Sequence, residues 1–108
     1  MIWTVAALAA GLQVTAEPVN ATDRPLPAGN VRIDLDCRPA LRRMLVLSPA
    51  APTRFVAIPK AAKCRASLRA LPAPTYACHW DTTFSPANAV GGQGDTITLR
   101  YTLVCGGR

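Results

Sequence analysis

Proline stands at ten positions from Pro18 to Pro86, and it leaves no interval that reads as a long helix. An interior proline removes a backbone donor and clashes with the preceding turn, at a cost of about 3 kcal/mol. What lies between the prolines alternates with period two instead. Val31, Ile33, Leu35 and Cys37 share one face, and Arg32, Asp34, Asp36 and Arg38 share the other, which is the pattern of a half-buried strand. Ile97, Leu99, Tyr101, Leu103 and Cys105 alternate in the same way with Thr96, Thr98, Arg100 and Thr102. Residues 61–71 set Cys64, Ala66, Leu68 and Ala70 against Arg65, Ser67 and Arg69, and residues 75–82 place Tyr76, Cys78 and Trp80 on a buried face. Met44–Leu47 is a wholly apolar run, expected to be a fully buried strand, and Arg54–Ile58 is a further strand closed by Pro59. Residues 20–30 are expected to be a loop or an edge segment, and residues 85–94, rich in glycine, a loop. Short strands at this spacing predict an all-β fold, a small antiparallel β-sandwich or barrel, immunoglobulin-like by analogy of architecture alone.

The chain has 108 residues, half of them apolar, which is enough for one domain and too apolar for a disordered segment. Residues 1–16 read in two ways. Ile2–Leu12 is apolar and uncharged, and Val14-Thr15-Ala16 before Glu17 resembles a signal-peptidase site, so that 17–108 would be the mature β domain. The run is shorter than the roughly 20 apolar residues a membrane-spanning helix needs, and no span is expected in the mature chain. Alternatively, Trp3-Thr4-Val5 and Leu12–Thr15 are the arms of a first hairpin, turning at Ala9-Ala10-Gly11.

The four cysteines, Cys37, Cys64, Cys78 and Cys105, each fall in register with the apolar residues of a strand. Inward cysteines on a small domain predict two disulfides and an oxidising compartment, periplasmic or extracellular. Cys64–Cys78 across the turn at Pro72, with Cys37–Cys105 joining the two clearest strands, is the favoured pairing. Cys37–Cys64 with Cys78–Cys105 is the alternative. Zinc sites draw on cysteines two to four residues apart, and no such pair exists, so no metal is expected.

The formal charge is +6, unevenly spread. No acid occurs between Asp36 and Asp81, while Arg38, Arg42, Arg43, Arg54, Lys60, Lys63, Arg65 and Arg69 fall in that interval. Arg42, Arg43, Arg54, Arg65 and Arg69 are the candidate patch for an anionic partner, with Arg42 and Arg43 near a turn. Asp34 and Asp36, flanked on their own strand by Arg32 and Arg38, read as an exposed charge ladder rather than as an acid–base pair.

Catalytic signals are weak. Cys78 and the only histidine, His79, are adjacent in a strand and therefore point to opposite faces. The glycines around Gln93 lack the lysine and the strand-to-helix setting of a phosphate loop, and Asn20-Ala21-Thr22 is a glycosylation acceptor only in a eukaryotic secretory host. No enzyme, cofactor or small-molecule substrate is expected. The expectation is a structural or binding β-domain of the bacterial envelope or extracellular space, with a protein partner or self-assembly, or an anionic polymer. The alternatives are a bacteriophage virion component, such as a capsid-decorating or tail protein, and a small basic nucleic-acid-binding protein. The last would lack base-stacking aromatics in its cationic segment, where only Phe55 occurs.

Overall fold

The computed structural model describes residues 11–38, 41–74, 77–82 and 88–106. They form eight strands: β1 (Gly11–Asn20), β2 (Val31–Arg38), β3 (Leu41–Leu47), β4 (Thr53–Ala57), β5 (Lys63–Ala70), β6 (Cys78–Asp81), β7 (Asn88–Gly92) and β8 (Thr96–Cys105). Two four-stranded sheets, ordered β4-β1-β8-β6 and β3-β2-β5-β7, pack together as the predicted sandwich. All strand pairs are antiparallel except β1 with β8, which run parallel from Gln13↔Thr96 to Asn20↔Leu103.

Alternation builds the core. Leu12 and Val14 from β1, Val31, Ile33 and Leu35 from β2, and Leu99 and Leu103 from β8 are all at most 1% exposed. Each such side chain contributes about 1.5–3 kcal/mol when removed from water. Trp80 packs edge-to-face on Tyr101, with ring centroids 4.8 Å apart, and its indole N–H donates to the Pro72 carbonyl at 2.7 Å. That bond satisfies the polar end of a ring whose body is in the core. Burial pushes the Tyr101 phenol above its ordinary value.

Among the described strands, successive ones usually change sheets, and only β2 and β3 follow one another within a sheet. Pro49 and Ala50 sit at the corner between β3 and β4, closed by reciprocal backbone bonds between Ser48 and Ala51. The β7–β8 turn is held by the Asp95 carboxylate, which accepts from the Gly92 N–H at 2.7 Å, and Gly94 takes the left-handed φ of +86° that the turn requires.

Four sequence expectations change. Ala70, expected on the buried face of its strand, is exposed opposite Arg32, because a β-bulge at Arg69 reverses the alternation. Met44–Leu47 is half-buried rather than fully buried: Leu45 and Leu47 face the core, while Met44 and Val46 are 56% and 42% exposed, because the outer face of this sheet is uncovered. Residues 88–92, expected to lie in a loop, form the edge strand β7. Glycine hid it from any periodicity, yet glycine is what fits there, since a Cβ on Gly91 would stand 3.1 Å from Ile97. The disulfides are Cys37–Cys64 and Cys78–Cys105, not the favoured Cys64–Cys78 and Cys37–Cys105. That choice assumed a β5–β6 hairpin through Pro72, but the chain changes sheets there and carries Cys64 and Cys78 apart. Each cystine instead joins neighbouring strands of one sheet, directly opposite in register. With partners 27 positions apart in the sequence, each bridge stabilises by about 3.5 kcal/mol in the chain-entropy account.

Residues 11–16, the last six of the sixteen residues with leader-like features, are in β1. Trp3-Thr4-Val5 lies outside the described residues. β1 is an inner strand, paired on one side with β4 and on the other with β8. A domain starting at Glu17 would lack Leu12, Val14 and Ala16 from its core and would leave β4 without its strand partner. A chain beginning at Glu17 should therefore lose the cooperative thermal unfolding that the full chain shows by circular dichroism.

Non-reducing peptide mapping should recover the Cys37–Cys64 and Cys78–Cys105 links. Cys37 and Cys64 are at most 2% exposed, while Cys78 and Cys105 are both half-buried. Titration with a mild reductant should consequently open Cys78–Cys105 first, as exchange requires access to the sulfur.

Candidate functional site

The register of the second sheet determines what its outer face carries. Across its strands, Arg42, Asp36, Arg65 and Val90 form one row, and Met44, Asp34 and Ser67 form the next. Aspartate is short, and the arginines on either side are long. The result is a trough along β2, floored by Asp34 and Asp36 and walled by side chains of β3 and β5. It is an open groove of about 470 Å³, lined by Asp34, Leu35, Asp36, Arg42, Arg43, Met44, Arg65, Ser67 and Arg69.

A β-bulge sets one wall. Ile33 pairs with Leu68 but Arg32 pairs with Ala70, so Arg69 is the extra residue. Its Nε lies 2.9 Å from Asp34 Oδ2. Arg42 Nε is 3.7 Å from Asp36 Oδ1. Both pairs are solvent-exposed, so they orient side chains more than they stabilise the fold.

Of the five candidate arginines, Arg42, Arg65 and Arg69 come together on this face. Arg42 and Arg43 lie within β3, and consecutive strand residues diverge: Arg43 lines the groove but stands opposite Leu35, on the core-facing side of its strand. Arg54 is not in the groove. It stands opposite Val14 on β4 and donates Nη2–H to the Val46 carbonyl at 3.2 Å. Among the described residues β3 and β4 are edge strands, and a charge at a core-facing position of an edge strand opposes pairing with another chain. Arg43 and Arg54 thus stand on the core-facing side of edge strands, a placement that the charge run did not reveal.

Sequence reasoning set the aspartates among arginines of their own strand, whereas their partners are across strands. The signal that could have found this is the symmetry about Pro39, which pairs Asp36 with Arg42 in a β2–β3 hairpin. It also missed the exposed apolar residues of this face, Met44, Val46 and Val90. Elsewhere, Cys78 is bonded to Cys105, and His79 is exposed. Among the described residues no three of His, Cys, Asp and Glu are grouped to hold a metal ion, and no helix is long and apolar enough to cross a membrane. Comparisons with protein-family models, curated proteins and solved structures find no match.

Asp34→Asn should release Arg69 and remove one negative charge from the trough, raising its net charge by one. The expected result is later elution from a heparin column, with thermal stability changed by no more than about 1 kcal/mol, as for an exposed pair.

Proposed function

We propose that this chain is a non-enzymatic binding domain of the bacterial envelope or extracellular space, and that the outer face of its second sheet engages an anionic partner. The observation that carries this reading is the charge of that face. By register it presents Arg32, Arg38, Arg42, Lys63, Arg65 and Arg69 against Asp34 and Asp36, an excess of four positive charges. A sheet face with that excess draws anionic partners by long-range attraction. The two disulfides support an oxidising compartment. In this reading any leader is cut upstream of Gly11, since β1 supplies core residues from Leu12 onward.

A second reading, a bacteriophage virion component, draws on the same β1. Its support is that residues 11–16, which include Val14-Thr15-Ala16, serve as a strand of the sheet.

The Arg42→Gln, Arg65→Gln, Arg69→Gln triple variant should elute from heparin at distinctly lower salt than the parent. Its folding should stay intact, as exposed substitutions usually shift stability by about 0.5 kcal/mol or less. Arg54→Gln is the control and should leave retention nearly unchanged. Parental retention should fall steeply with ionic strength, as the Debye length shrinks from about 10 Å at 0.1 M to about 3 Å at 1 M salt. Equal retention of the triple variant and the parent at low salt would reject the anionic-partner reading.

A further inference from the structure

We propose that the occupant of the trough is an extended protein segment in which an acidic residue is followed two positions later by an apolar one. This rests on the reading of the face as an anion-binding surface and names the partner. Three of the five large apolar residues exposed in the described structure lie on this face: Met44 and Val46 on β3, and Val90, 58% exposed, on β7. Arginine rows beside exposed apolar side chains match a partner that offers carboxylates and apolar groups together, which a polyphosphate or sulfated polymer does not.

The spacing gives the pattern. Arg42 and Met44 are two residues apart on β3, about 7 Å by strand rise, which is also the repeat between same-side residues of an extended peptide. A segment lying along β2 would set an acidic side chain at the Arg42–Arg65 row and its second-next side chain at Met44. Aromatic stacking platforms, which single-stranded nucleic acid uses, are missing from the described residues of this face. A second copy of this chain packed face to face would set four excess positive charges against four, which argues for a different, acidic partner.

The test uses the full chain and two fluorescent peptides of equal charge, one a double repeat of Glu-Ser-Val-Ser and the other with serine replacing valine. The valine peptide should bind about fivefold tighter, as expected for roughly 1 kcal/mol of apolar contact. The Met44→Ser, Val90→Ser double variant should lose that preference while keeping its heparin retention, since both positions are exposed and uncharged. Equal affinity for the two peptides, or a preference that survives in the double variant, would overturn the proposal. So would heparin binding without peptide binding, which would leave a non-protein polyanion as the partner and the anion-binding reading standing. Loss of heparin retention dependence on Arg42, Arg65 and Arg69 would instead remove the underlying reading. Binding to phosphatidylglycerol vesicles that disappears in the double variant, or dimerisation in sedimentation, would overturn the protein-segment occupant in favour of a membrane or a second copy.

Discussion

The contact on which the rest depends is the meeting of two apolar sheet faces, and within it the strands β1, β2 and β8. Their inward residues are nearly all fully buried, and no polar or charged residue among those described is buried with them. The outward residues of these strands are thereby turned toward solvent, because a one-residue slip of register would turn the whole set inside out. The arginines and aspartates of the trough are aligned as a consequence of core packing, without needing strong contacts among themselves. The two cystines reinforce the same register, since each joins residues that already face one another across neighbouring strands.

That arrangement differs from a sandwich whose sheets are stapled to each other. Here each sheet has its own covalent tie, Cys37–Cys64 in one and Cys78–Cys105 in the other, and cohesion between the sheets is left to apolar packing. The short strand β6 shows why the second tie matters. Four residues of edge strand bury little surface, but β6 positions Trp80 against Tyr101, and Cys78 fixes one of its ends to β8.

The strands with strict alternation were legible in the sequence, down to the inward set Val31, Ile33, Leu35 and Cys37. Alternation reports which face is buried, but it carries no information about which strand lies beside which. Alternation therefore leaves the cystine pairing open: Cys64 and Cys78 are close in sequence but in different sheets. β7 was hidden because Gly91 and Gly92 have no side chain to alternate. The candidate site was half legible. Clustering of basic residues along the chain anticipated the face that holds Arg42, Arg65 and Arg69. It could not separate them from Arg43 and Arg54, because the two groups differ only in which side of a strand they occupy. Nor could it see that aspartates earlier in the chain would return beside these arginines through strand pairing.

The parallel pairing of β1 with β8 has a mechanical consequence. The first and last described strands are neighbours over eight residue pairs and run in the same direction. Tension pulling outward from the start of β1 and the end of β8 therefore slides the two strands past one another. In that geometry the hydrogen bonds between them bear the load together instead of opening one after another. A fold wired this way resists being stretched along its own chain.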